Sequence, residues 1–262
     1  MAIQTLNALI AALKRNVVLQ KTKTRTAVAN YPFSVFDLAG NPGAGTLAVG
    51  NTAIGIVPTD GIAGYPSLAT PQGTLYLNRI LARSSVASWI DLYECLFSAG
   101  AYAFNADVTL SDQPSFASRL PNEGDYKGLE LWLETVTAFT GSQTIQINYL
   151  DQDGESGDTG AIATGVAPTL GRMYQVPLAS GDCGVQRLDR VRSTVSTVGT
   201  FNVHVMRWLW GCRINGANQG IVDSLLKTGL PKIFGDSALR IIITADSTST
   251  GLPSLRLETA DG

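Results

Sequence analysis

The sequence predicts a mainly β protein: an antiparallel β-sandwich, jelly-roll-like, with a short N-terminal helix and an extended arm. Three observations carry that expectation. Apolar and polar residues alternate with a period of two through much of the chain, as strands with one buried face require. Twenty-seven glycines and eleven prolines in 262 residues supply many turns, which suits short strands better than long helices. Strand-like segments do not alternate with long helical ones, so nothing supports a parallel sheet built from βαβ units.

The period of two is clearest over residues 128–154. Leu129, Leu131 and Leu133 fall on one face, opposite Glu130, Trp132 and Glu134. Ile145, Ile147 and Tyr149 then alternate with Thr144, Gln146 and Asn148. With Thr140, Gly141 and Ser142 as the reversal, the stretch reads as a β-hairpin with Glu130 and Glu134 facing solvent.

In chain order, Leu6, Leu9, Ile10 and Leu13 recur at helical spacing and predict an amphipathic helix over residues 4–16. Lys14, Arg15, Lys21, Lys23 and Arg25 follow as a basic strip, read as a solvated tail after the helix, with an arm that reaches an acidic neighbour or nucleic acid as the alternative. Residues 27–71 are rich in Gly, Pro, Ala and Thr and keep no sustained period. A stretch of that kind is expected to be an arm, ordered by packing on its own sheet and on adjacent chains. Strands are expected over residues 73–82, 84–96 and 100–110, then over 159–166, 172–178, 185–193 and 200–209. Residues 221–227 read as a helical turn or two ended by Gly229 and Pro231. Residues 239–244 and 255–258 close the fold. The division is residues 1–72 for the helix and the subunit-contacting arm, and residues 73–262 for the sandwich.

Composition narrows the function. Charged residues make up 15% of the chain, against a typical ~25%, so part of the surface is expected to be covered by other subunits. A net charge of -2 argues against a general nucleic-acid binder. Cys95, Cys183 and Cys212 form no CxxC pair and no zinc pattern, and are expected to be free thiols in a reducing compartment. The N-terminal apolar run precedes its basic residues, the reverse of a secretory signal. No apolar stretch approaches the ~20 residues that span a bilayer.

Each candidate chemical motif lacks a necessary part. Gly43, Gly45 and Ala48 match a loose dinucleotide fingerprint, but Gly50, Asn51 and Gly55 oppose the helix that must follow it. The loop of Ser180, Gly181, Asp182, Cys183 and Gly184 resembles the nucleophile loop of chymotrypsin-like proteases. His204 is the single histidine, and it follows the cysteine where those proteases place histidine before the nucleophile. Residues 151–158 have the oxygen density of a calcium loop, yet glycine comes at the fourth position rather than the sixth. P-loop, HExxH and GxSxG motifs are absent. No catalytic residue, cofactor or metal ligand is therefore assigned.

Five stretches together carry a resemblance. They are YPFSVFDLAGNPGAG, GIVPTD, WIDLYECLFSAGAYAFN, LGRMYQVPLASGDCGVQRLDRV and LPKIFGDSALRIIITADSTSTGLPSLRLE. They resemble virion structural proteins of tailed bacteriophages and prophages, and the likeness runs over nearly the whole chain. It implies a non-enzymatic particle component made in the host cytoplasm, a decoration or cement protein on the capsid exterior. Its partners would be the major capsid protein and copies of itself, a homo-oligomer such as a trimer. Assembly contacts are then expected at Leu6, Leu9, Ile10, Leu13, Tyr31, Phe33 and Phe36. The alternative is a tail- or fibre-associated receptor or carbohydrate-binding module, using Trp208 and Trp210 on one strand face.

Overall fold

The computed structural model describes residues 5–12, 14–68, 74–165, 169–193 and 198–262. Helix α1 (Leu6–Ala11) starts at Thr5, whose hydroxyl accepts from the Ala8 N–H. It ends where Lys14 turns its ammonium back onto the carbonyls of Ile10 and Ala12. The helix stops short of the expected residue 16 because the next segment has a better partner. Val17 and Val18 are β-branched, and residues 14–20 pair in register with the C-terminal strand.

Strand β1 (Lys14–Lys21) is followed by β2 (Pro32–Ser34), β3 (Gly40–Asn41) and β4 (Asn51–Ile56). Next come β5 (Thr74–Ser84), the long β6 (Ser88–Ala103) and β7 (Asp107–Thr109). The middle of the chain holds β8 (Leu129–Thr137), β9 (Thr144–Asp151), β10 (Ser156–Asp158), β11 (Ile162–Ala163) and β12 (Met173–Val176). Then follow β13 (Val185–Ser193), the long β14 (Thr200–Ile214), β15 (Gln219–Asp223) and helix α2 (Leu225–Thr228). The last strands are β16 (Lys232–Phe234), β17 (Leu239–Ala245) and β18 (Ser254–Asp261).

These strands form three antiparallel sheets among the described residues. The central one runs β12-β8-β14-β6-β17-β2, with β4 also on β6. The second runs β15-β5-β18-β1-β3, with β16 on β5, and the third runs β10-β9-β13-β7, with β11 on β9. Both smaller sheets pack on one face of the central sheet. Ile90 and Leu92 of β6 join Leu77, Ile80, Leu255 and Leu257 in one core. Leu96 of the same strand joins Ile145, Ile147, Tyr149, Leu188 and Val191 in another. The opposite face, with Tyr93, Cys95, Trp132, Met206 and Ile242, is covered by Phe36, Leu47 and Tyr65.

The architecture is the expected sandwich-like one, with three local differences. The arms of the expected hairpin do not pair: β8 lies in the central sheet and β9 in the third. Their leucine and isoleucine faces meet across the core instead, with Phe139 of the connection buried beside them. The basic strip is not a solvated tail, since Val17 and Leu19 of β1 are core residues and Lys21 and Arg25 are buried. Lys21 donates to the Leu38 carbonyl, and burial lowers its pKa to about 8. Residues 221–227 divide between the end of β15 and α2.

Residues 27–68 do order on their own sheet, through β2 on β17 and β4 on β6. An added Cβ at Gly45 would come within 2.3 Å of the Phe36 ring, so glycine is what lets this segment lie so close. The segment expected to be an arm thus supplies three strands, β2, β3 and β4, to the same sheets as residues 74–262.

Candidate functional site

Of the seven residues expected to make assembly contacts, three stand on the surface. Leu6 is 64% exposed, Ile10 69% and Tyr31 46%, the last under the Arg172 guanidinium. Leu9, Phe33 and Phe36 are buried within the chain itself, which corrects their assignment as outward contacts. Phe33 is taken by the pairing of β2 with β17, and Phe36 by the Tyr65 ring 4.6 Å away. Leu13 lies outside the described residues.

Beneath residues 46–65 lies a buried polar array around a cavity of about 150 Å³, lined in part by Ser98, Glu134, His204 and Arg240. The central sheet positions all four: Ser98 on β6, Glu134 on β8, His204 on β14 and Arg240 on β17. His204 pairs directly with Ser98, so imidazole and hydroxyl share a face. Ser98 Oγ lies 2.8 Å from His204 Nδ1, and His204 Nε2 lies 3.0 Å from Glu134 Oε2. Arg240 donates to the other Glu134 oxygen at 2.5 Å and to Ser34 Oγ at 2.7 Å. Cys95 Sγ is 3.9 Å from His204 Nδ1.

Hydroxyl, imidazole and carboxylate in line is the order that activates a nucleophile. Here the carboxylate is already neutralised by Arg240, and Ser98 is buried in mid-strand. What the array visibly does is hold residues 34–49 onto the sheet. Asn202 donates to the Leu47 carbonyl at 2.6 Å and to Glu134 at 3.3 Å, and accepts from the Val49 N–H at 3.4 Å. The Arg240 guanidinium sits 5.1 Å from the centre of the Phe36 ring. Glu134 is thus not the solvent-facing carboxylate that alternation suggested: β8 is interior to its sheet and both its faces are covered.

Electrostatics and pH follow from this geometry. Burial would raise the Glu134 pKa, but Arg240 and His204 outweigh it and hold the carboxyl well below its usual range. Burial likewise opposes charge on His204, but its bonds to Cys95 and Glu134 hold its pKa above the ordinary histidine value. A depressed carboxylate stabilises the fold above its unfolded pKa of ~4.3, and that contribution is lost as pH falls through the folded value. A raised histidine stabilises below ~6.5, and that contribution is lost as pH rises through the folded value. The unfolding free-energy gap between the wild type and His204→Gln should therefore be widest near pH 5–6 and shrink towards pH 9. Urea titrations across that range check this, and a gap that does not vary with pH overturns it.

A second buried cluster lies on the opposite face of the central sheet. Glu94 falls between Leu92 and Leu96, at the seam of the two cores. It accepts from Arg119 at 3.0 Å, from Arg207 at 2.5 Å and from the Ser237 hydroxyl. Arg119 also donates to the Pro58 carbonyl at 2.8 Å, and Arg207 to the Lys232 carbonyl at 2.6 Å. Sequence reasoning missed this cluster, because single charges within long apolar strands carry no spacing signal.

The other motifs resolve as local structure. Cys183 is exposed, and its N–H donates to Gln152 Oε1 at 2.8 Å. His204 has its bonds elsewhere, to Ser98, Glu134 and Cys95. Asp151 closes its own loop by accepting from the N–H groups of Asp153 and Glu155. Among the described residues, no group of three or more His, Cys, Asp or Glu is placed to hold a metal ion. Residues 43–48 are followed by strand β4, not by a helix. Trp208 and Trp210 do not share a face. A bulge between them turns Trp208 outward at 49% exposure and buries Trp210, whose indole donates to Asp223.

No protein family matches this chain, and no curated protein matches it. Among solved structures, one of the infectious bursal disease virus Gt strain is similar over 95% of this chain and 81% of that chain, at 9% identity and a TM-score of 0.22. The Gx strain gives 95% and 80%, at 8% identity and a TM-score of 0.19. The VP2 subviral particle of the same virus gives 95% and 80%, at 9% identity and a TM-score of 0.17. Scores this low establish neither a shared fold nor a shared role.

Proposed function

We propose that this chain is a non-enzymatic structural component of a tailed-bacteriophage particle, binding the capsid exterior as an oligomer and stabilising the shell. The observation that carries the reading is the resemblance of its five quoted stretches to virion structural proteins. Surface chemistry supports it. Only 15% of residues are charged, and the N-terminal helix presents Leu6 and Ile10 to solvent while Leu9 anchors it. Ile54 and Ile62, on residues 51–62, are exposed as well. Leu6 and Ile10, one turn apart on the same short helix, form a small exposed apolar patch of the kind that contact surfaces use.

Deletion of residues 1–12 tests the reading, because it removes Leu6 and Ile10 and leaves β1 intact. The shortened chain should still unfold cooperatively, at a urea midpoint lowered only by the loss of buried Leu9, and lose binding to the particle. Deletion of residues 1–30 would not be clean, since it also takes Val17 and Leu19 out of the core. In purified particles, quantitative mass spectrometry should find on the order of hundreds of copies, as repeated symmetric contacts across a shell require. Unimpaired binding by the shortened chain sinks the contact assignment. Absence of the chain from particles sinks the virion reading.

A further inference from the structure

One end of the central sheet, on the face that residues 34–65 cover elsewhere, is left open, and it is aromatic. Trp89 of β6 is 50% exposed and Trp208 of β14 is 49% exposed. Both lie on the same side. Trp89 alternates with Asp91 and Tyr93, and the Trp208 indole donates to Asp91 Oδ1 at 3.2 Å. Trp208 pairs with Tyr93, four residues along β6 from Trp89. At the rise of a strand the two backbone positions lie roughly 13 Å apart, and the Trp208 indole leans from its own position over Asp91, towards Trp89.

The floor between them is shaped and polar. Gly211 pairs with Asp91, and a Cβ there would lie 2.3 Å from Asp91 Oδ1 and 3.3 Å from the Trp208 nitrogen. Its absence keeps the floor low. Asp91 Oδ2 has no hydrogen bond among the described residues, and burial raises the pKa of this carboxyl. Glu130 closes one side, bound to the Tyr93 hydroxyl at 3.0 Å and the Trp132 indole at 2.8 Å. Arg213 sits 5.8 Å from the centre of the Trp89 ring and is tied to Asp246.

We propose that this face binds a neutral oligosaccharide, with the Trp89 and Trp208 rings stacking on its sugar units and Asp91 accepting hydroxyl hydrogen bonds beside them. Apolar sugar faces match indole faces, and a half-buried carboxylate oxygen without a donor matches a hydroxyl-rich ligand. Asp91 and Glu130 together disfavour an anionic glycan. Two half-exposed indoles along one strand direction suit a chain of sugars rather than a single one. The inference stands apart from the virion reading, because it requires only the folded chain.

The test is titration of the full chain with cellohexaose, chitohexaose and maltohexaose, followed by intrinsic tryptophan fluorescence and calorimetry. Heparin serves as the polyanionic comparison. At least one neutral hexasaccharide should bind and quench tryptophan emission. Trp208→Ala and Trp89→Ala should each weaken binding about tenfold, as expected for loss of one stacked ring, with unchanged urea midpoints. Asp91→Asn, which keeps both rings, should weaken it less. Three outcomes overturn the proposal: no binding of any neutral probe, binding that survives both tryptophan substitutions, or binding of heparin alone.

Discussion

Replacing Glu94 with alanine should destabilise the fold by about 3–5 kcal/mol, the cost of leaving buried charge uncompensated. Glu94 is fully buried and is the carboxylate that Arg119 and Arg207 share. Without it, two guanidinium groups face one another where water cannot reach. Their remaining partners are the carbonyls of Pro58 and Lys232 and, for Arg119 alone, the half-exposed Asp236 carboxylate 3.6 Å away, which leaves Arg207 without a compensating charge. Combining Glu94→Leu with Arg119→Met and Arg207→Met should recover most of the loss, since well-packed apolar side chains can replace a buried ion cluster at little cost. Urea unfolding of the single and triple variants checks both statements. A single-variant loss below about 1 kcal/mol would mean that water reaches the seam.

Glu134→Ala is expected to cost a similar ~3–5 kcal/mol, because it strands the buried Arg240. Its effect should also have a distinct local signature. Glu134 accepts from Arg240, His204 and Asn202, and Asn202 and Arg240 in turn hold Leu47, Val49, Ser34 and Phe36. Amide exchange in residues 46–65 should therefore accelerate more than in β9 or β13, whereas Glu94→Ala should leave that contrast small. Because the two clusters sit on opposite faces of one sheet, their costs should add to within about 0.5 kcal/mol. Strong coupling between them, or uniform exchange across the chain, would contradict this.

The strand content was legible because alternation is a local signal. Ile90 and Leu92 against Trp89 and Asp91, and Val203 and Val205 against His204 and Met206, divide between faces as the period requires. Partnership was not legible. Residues 129–134 and 144–149 have hairpin spacing, yet they face each other across a core, and that choice depends on where β13 and β14 lie. The polar array stayed hidden for a related reason. Ser98, Glu134, His204 and Arg240 come from four strands far apart in sequence, so no motif gathers them. The single histidine drew a comparison of His204 with Cys183, which the order of the two residues set aside; Cys95 is the thiol beside it. Exposure of Trp208 rests on a bulge, which alternation cannot anticipate.

The two long strands have a mechanical consequence. β6 and β14 pair antiparallel from Ser88 to Ala103, and each serves both cores. A load applied along their common axis acts on the whole ladder of inter-strand hydrogen bonds in shear rather than peeling them one at a time. Glu94 and Arg207 sit midway along that ladder and cross-brace it where the two packed layers meet. Stiffness along this axis should exceed stiffness across it, making the molecule a directional strut whose strong direction follows the central strand pair.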